Sequence, residues 1–297
     1  MQNEKACVIP VDKQESRWVT TFTTESHIKP ACRRGRCGMT QKNNVKEIMQ
    51  IDILTLFPKM FVGPFCESIL ARAQKKGLVS IKIHNLRQWA KDKHKSVDDK
   101  PFGGGVGMVL RCQPIFDAVK DCKHQSQNLK LKAQSRNAGC KKPYVILLSP
   151  QGKVLTHEKS QELAKKSHLI LICGHYEGVD ERVSENLVDE EISIGDYILT
   201  GGELPATVLT ESVVRLIPGV LEKNDATRLE SFSLTNKQGK RLLEAPQYTR
   251  PADYCGMRVP AILLSGNHQE IDKWKQAQAE KVTKDKRPEF MASDSSE

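Results

Sequence analysis

The chain has 297 residues, of which 38% are hydrophobic, and carries a formal net charge of +10 with a pI near 9.1. That length suits one or two domains, and the basic balance favours a polyanionic partner over an acidic metabolite, with plain solubility as the competing reason for the charge. No apolar run approaches the roughly 20 residues of a membrane span, and nine cysteines without a Cys-x-x-Cys pair favour reduced thiols in a cytosol-like compartment over a disulfide framework.

Residues 1–48 are polar and weakly periodic, with a basic Cys32-Arg-Arg-Gly-Arg-Cys37 run. They read as a disordered extension or an over-long start ahead of Met49. His27, Cys32 and Cys37 are candidate metal ligands, although their spacing is poor for zinc. A targeting peptide is the other reading, although Glu4, Asp12, Glu15 and Glu25 dilute the acid-poor character such peptides have.

From residue 51 a β–α alternation is legible. A strand over 51–56 leads to Pro58, which suits the first turn of a helix ending at Gly77. The alternating stretch 78–84 predicts a second strand. Gln113-Pro114 opens a helix carrying Ile115, Phe116, Ala118 and Val119, and the polar, basic stretch 125–142 predicts a surface loop. The continuous apolar runs 145–148 and 169–173 are of the buried parallel-strand type. Between them lies a helix capped by Thr156, with Glu158 in its first turn. Another helix covers 204–217 and stops at Pro218-Gly219. Strands alternating with helices imply a parallel sheet covered on both faces. The stretch 222–243 is charged and poor in apolar residues, and reads as a linker between a domain over 49–221 and a small, mostly helical one over 244–297. That second domain ends near 288 and has a disordered tail over 291–297.

The segment 173–205 carries the most chemistry. Cys-Gly-His-Tyr-Glu-Gly-Val-Asp-Glu-Arg is followed by Ser193-Ile-Gly-Asp-Tyr-Ile-Leu-Thr-Gly-Gly-Glu-Leu-Pro. Each glycine-bearing loop follows a short β-branched run, so a flat group can press on bare backbone at the carboxyl ends of parallel strands. No Walker pattern and no Gly-x-Gly-x-x-Gly after a strand is present, so these loops are not phosphate cradles. A nucleoside held by backbone groups fits better, flanked by Glu177, Asp180, Glu181, Asp196 and Glu203.

This segment resembles the cofactor core of the bacterial tRNA (guanine-N1)-methyltransferases, the TrmD family of the SPOUT superfamily. Further stretches in the family's order carry the resemblance: IDILTLFPKMF (51–61), SVDDKPFGGGVGM (96–108), LLSPQG (147–152), SVVRLIPGV (212–220), LLEAPQYTRP (242–251) and PAILLSGNH (260–268). It covers 49–288. It implies an α/β fold whose parallel sheet contains a deep trefoil knot, an obligate homodimer with active sites at the subunit interface, and a small C-terminal domain that binds tRNA. It also implies work in the cytoplasm. Carried over by position, Pro150, Gln151, Gly174, Tyr176, Glu177, Ile194, Gly195, Asp196, Tyr197, Ile198, Leu199, Gly201 and Gly202 would line an S-adenosylmethionine site. Tight turns alone are the competing reading of these glycines.

The implied reaction methylates N1 of guanosine at position 37 of tRNA. Guanine N1 carries a proton and is a poor nucleophile until that proton leaves, which pushes charge onto O6. A carboxylate near N1 and an arginine near O6 answer both needs, and the resemblance places them at Glu230 and Arg215. Two positions depart from the family's usual pattern. Glu230 stands in Glu-Ser-Phe where Asp-Ser-Phe is usual, adding one methylene, and His175 stands where Arg is usual. Asp99, Gly105, Gly107 and His175 fall where the target guanosine would lie, and the base must leave its stack to reach the methyl donor. Lys91, Lys93, His94, Lys95, Arg241, Arg250 and Arg258 are candidate phosphate contacts. Glu244 matches an acidic position that would order the linker or a magnesium ion, and Cys173 reads as packing. Two other readings stand beside this one: a ribose 2′-O-methyltransferase of the same superfamily, and a non-catalytic RNA-binding relative.

Overall fold

The apolar runs of the sequence form a five-stranded parallel sheet in the computed structural model, which describes residues 48–132, 142–222 and 227–291. The strands are β1 (Met49–Thr55), β2 (Val79–Asn85), β5 (Tyr144–Val154), β6 (His168–Cys173) and β7 (Glu190–Ser193), in the order β2-β1-β6-β5-β7. Strand β6 is buried at every position, as a strand with both faces covered must be.

One face packs against the 3-10 turn Pro58–Phe61 and helices α1 (Val62–Cys66), α2 (Ser68–Lys75), α4 (His157–Leu163) and α6 (Glu203–Val214). Its core includes Phe61, Phe65, Leu163, Leu209 and Val213. The other face meets α3 (Cys112–Lys132) and α5 (Glu181–Leu187) through Ile115, Ala118, Val119 and Val183. Thr156 caps α4 as its side chain predicts, accepting from the Lys159 amide at 3.2 Å.

Three elements differ from the sequence reading. The single helix expected up to Gly77 is divided at Glu67, whose backbone is extended (φ −119°, ψ 162°). Gly63 and Pro64 leave α1 only one turn of poor helix formers. Helix α3 does not end near 125 but runs to Lys132, because Gln, Leu and Lys continue it without Gly or Pro. The rest of that expected loop, 133–141, lies outside the described residues, as do the candidate ligands His27, Cys32 and Cys37 and the tail 292–297. Strand β5 passes 148 and continues to Val154. Ile192 of β7 pairs with both Leu148 and Lys153, so the 148–153 segment bends around β7. A two-stranded ladder of β3 (Asp98–Asp99) and β4 (Val109–Leu110) frames the glycine-rich loop between them.

The chain divides into two compact units after Val220. The second contains a hairpin of β8 (Leu234–Thr235) and β9 (Arg241–Leu242), a hairpin of β10 (Asp253–Tyr254) and β11 (Met257–Arg258), and helix α7 (His268–Lys286). Asn267 caps α7 by accepting from the Glu270 amide. Leu242, Ala245 and Ala279 form a small core with Leu234 and Met291. Part of the stretch 222–243 is therefore a hairpin: β8 and β9 close a turn in which the Asn236 side chain accepts from Gln238 and Lys240.

Candidate cofactor and active site

The loops that follow β5, β6 and β7 meet at the carboxyl ends of these strands. Gly202 N–H donates to the Gly174 carbonyl at 2.8 Å, and His175 forms an antiparallel bridge with Gly201. Leu155 N–H reaches the Ser193 carbonyl at 2.8 Å, tying the far limb of β5 to the end of β7. Of the predicted cofactor-site residues, Gly174 to Glu177 and Gly201 to Gly202 are thus brought together. Pro150 and Gln151 sit on the exposed bend of β5, where Gln151 N–H donates to the Ser149 hydroxyl.

Close approach explains two of the glycines. A Cβ on Gly152 would stand 2.5 Å from the backbone of Glu191 and Ile192, and one on Gly202 would stand 2.8 Å from Cys173 Cα. Neither site has room for any side chain. Gly195 has φ +148°, and its missing Cβ lets the Tyr197 ring lie against the turn. Tyr176 takes φ +60°, an uncommon state for a residue with a side chain. The turn is held by Gly178 N–H on the His175 carbonyl and Glu177 N–H on the Met108 carbonyl, both at 3.1 Å.

That second bond joins the cofactor loops to the glycine-rich loop. Leu110 N–H donates to Gly178 O, Asp180 N–H donates to Leu110 O, and Gly107 leaves space that the Glu177 side chain fills. Gly105 and Asp99 are exposed nearby in sequence, and Asp99 accepts from the Lys100 amide. His175 lies between two aromatic rings, Phe57 at 4.9 Å and Tyr176 at 4.8 Å. Its Nδ1 accepts from the Tyr176 amide at 3.0 Å, so Nε2 carries the proton. Phe57 was not among the predicted residues, although its place past the end of β1 and directly before Pro58 could have signalled a loop position.

The acidic residues divide. Glu203, at the start of α6, is only 2% exposed and accepts from Thr55 Oγ1 at 2.7 Å, so it braces β1 against α6 instead of facing a ligand. Asp180 caps α5 and pairs with Arg182, whose hydrogen bonds hold its carboxyl below the usual range. Glu177 and Asp196 remain exposed. Cys173 is fully buried; burial, helped by Glu203, pushes its thiol well up, in keeping with packing.

Arg215 caps the C-terminus of α6, its amide bonded to the Glu211 carbonyl at 3.1 Å. Glu230 belongs to the second unit. Its carbonyl accepts from Ser233 and Leu234, and the turn is fixed by Phe232 N–H on Leu242 O and by the Phe232 ring against Phe290 at 5.8 Å. Glu244 donates its amide to Ser231 Oγ and accepts from Gln247, and among the described residues it joins no group of three metal-ligating side chains. Of the basic candidates, Lys91 pairs with Asp117 and Arg258 with Asp253, and Arg241 stacks on Phe290 at 5.0 Å. Lys93, His94, Lys95 and Arg250 are exposed.

Apolar and aromatic side chains at the loop surface are left uncovered: Ile198 is 80% exposed, Tyr197 54% and Leu199 39%. Bare backbone beside such side chains suits a flat, largely neutral ligand.

The family described as tRNA (Guanine-1)-methyltransferase TrmD matches residues 49–293. A tRNA (guanine-N(1)-)-methyltransferase of Ruminiclostridium cellulolyticum is 54% identical over 243 residues, covering 82% of this chain and 96% of that protein. Proteins of the same name from Anoxybacillus flavithermus and Bacillus cereus are 53% and 51% identical, each over 82% of this chain and over 91% and 92% of their own lengths.

Proposed function

The chain belongs to the tRNA (guanine-1)-methyltransferase family, and from that premise we propose that it transfers a methyl group from S-adenosylmethionine to N1 of guanosine 37 in tRNA, 3′ of the anticodon. The observation that carries this reading is the convergence of the three loops, with Gly152 and Gly202 placed where no Cβ fits. The relatives' names support methylation of the base, not of the ribose.

The loop residues fit the cofactor. Backbone groups of 174–177 and 194–202 would read the edge of the adenine, and Ile194 and Leu199 would cover its faces, burying surface that is otherwise wet. S-adenosylmethionine supplies a methyl group already activated by its sulfonium. The protein's work is then on the guanine. Glu230 takes the N1 proton, and Arg215 holds the charge that develops on O6. His175, in tilted and edge-on contact with Phe57 and Tyr176, presents Nε2–H towards RNA in place of a fixed cation.

The same reading includes a deep trefoil knot, supported by the bend of 148–153 around β7 and by Gly202 against Gly174. It includes a homodimer, supported by exposed Met60, Val62, Leu204 and Val208. The second unit binds tRNA, and a tRNA substrate puts the work in the cytoplasm. No helix among the described residues is long and apolar enough to cross a membrane.

The test is incubation with unmodified tRNA bearing G37 and labelled cofactor, followed by nuclease mapping and mass spectrometry. N1-methylguanosine at position 37 is expected; methylated ribose, or binding without transfer, rejects the assignment. Glu230→Gln is expected to lower turnover by about 10²–10⁴-fold while cofactor affinity stays within about twofold, and unchanged turnover removes Glu230 from the base role.

A further inference from the structure

Away from these loops, the face of the sheet under α3 holds a cluster that methyl transfer does not use. Asp52 on β1, His84 on β2 and Cys122 on α3 bring a carboxylate oxygen, an imidazole nitrogen and a sulfur within 4.8 Å of one another. Asp52 and Cys122 are each 1% exposed, and the His84 side chain 16%. The carboxylate is used unevenly. Its Oδ2 accepts from Gln50 Nε2 at 2.7 Å and from His168 Nε2 at 2.6 Å. Its Oδ1 faces His84 Nε2 at 2.7 Å. His168 Nδ1 is buried with no hydrogen-bond partner in the structure, which fixes its proton on Nε2 and makes it a donor to Asp52 alone.

We propose that Asp52, His84 and Cys122 form a binding site for one zinc-class divalent ion, with Gln50 and His168 orienting the Asp52 carboxylate from behind. A ligating carboxylate whose second oxygen is held by hydrogen-bond donors is the usual outer support of such sites. The mixture of sulfur, nitrogen and oxygen selects zinc or cobalt over magnesium or calcium, which take oxygen ligands. Charge also balances: one dication meets one carboxylate and one thiolate, with the imidazole neutral, so no net charge is left in the core. Binding releases the Cys122 thiol proton to solvent, as metal–thiolate formation requires.

In tetrahedral zinc geometry, bonds of about 2.0–2.3 Å set ligands roughly 3.3–3.7 Å apart. The Asp52–His84 pair opens by less than about 1 Å, and Cys122 closes by side-chain rotation. With three protein ligands the fourth tetrahedral position falls to water, and the ion cross-links β1, β2 and α3.

The experiment uses full-length chelator-treated protein in which Cys7, Cys32, Cys37, Cys66, Cys112, Cys140 and Cys255 are replaced by Ser, which leaves Cys122 and the buried Cys173 as its thiols. Cobalt(II) titration should give one equivalent per chain with an intense near-ultraviolet thiolate-to-cobalt absorption, which zinc displaces. Cys122→Ser should abolish that absorption, and His84→Val should weaken cobalt binding by at least about tenfold. Zinc should raise the melting temperature of the parent and not of Cys122→Ser. Absence of the absorption in the parent, or its persistence in Cys122→Ser, overturns the site. If Cys122→Ser does not fold by circular dichroism, His84→Val decides: undiminished cobalt affinity overturns the proposal.

Discussion

Gly152→Ala tests how the cofactor loops are assembled. The added methyl would lie 2.5 Å from the backbone of Glu191 and Ile192, where ordinary contact begins at 3.4 Å. The far limb of β5 and the end of β7 must therefore separate by about 0.9 Å, and backbone on both sides cannot swing away as a long side chain would. Overpacking of this kind costs about 1–3 kcal/mol, or roughly 2–12 °C in melting temperature for a domain of this size. The loops on either side of the gap are the ones proposed to hold the cofactor. A displacement near 1 Å at a reacting centre costs on the order of a hundredfold in rate. The assay pairs calorimetric cofactor affinity and single-turnover methyl transfer with thermal melts. Gly63→Ala is the control, because nothing lies within 4 Å of its Cβ and its backbone is not left-handed. It should leave cofactor affinity and turnover unchanged and should not lower the melting temperature. If Gly152→Ala binds cofactor, turns over and melts like the parent, the close approach of β5 to β7 does not shape the site and the reasoning fails.

Thr55→Val should destabilise the protein by about 1–3 kcal/mol in denaturant melts, since it leaves the buried Glu203 carboxylate without its Thr55 donor; a loss below about 0.5 kcal/mol would show that Glu203 finds another partner. Native-state alkylation followed by mass spectrometry should label exposed Cys255 quickly and fully buried Cys173 only on unfolding, and early labelling of Cys173 contradicts its packing role. The Tyr144 hydroxyl, pushed up to about 12 by burial and its hydrogen bond to Glu190, stays protonated in the folded chain after the unfolded chain has ionised. A raised folded value contributes stability below the unfolded value and loses it as pH rises towards the folded one. The stability difference between the parent and Tyr144→Phe should therefore hold constant up to about pH 10 and shrink from there to pH 12; a flat difference across that window refutes the assignment.

The parallel sheet was legible because 145–148 and 169–173 are uninterrupted apolar runs, and burial on both faces leaves that mark on a strand's own residues. The glycine loops were legible for a similar reason: a turn's needs are written in the residues that make it. Helix α3 was read short because its apolar stripe ends before its helix formers do. The hairpin over 234–242 was hidden in a stretch too polar to show a pattern. What only the tertiary structure decided are the partnerships between distant residues. Thr55 and Glu203 are 148 positions apart, Asp52 and His168 are 116 apart, and Gly152 is obligatory because of Glu191 and Ile192. Sequence periodicity reports whether a residue is buried, through its own polarity. Which group it meets there is set by strand order and register, and those exist only once the chain has closed on itself.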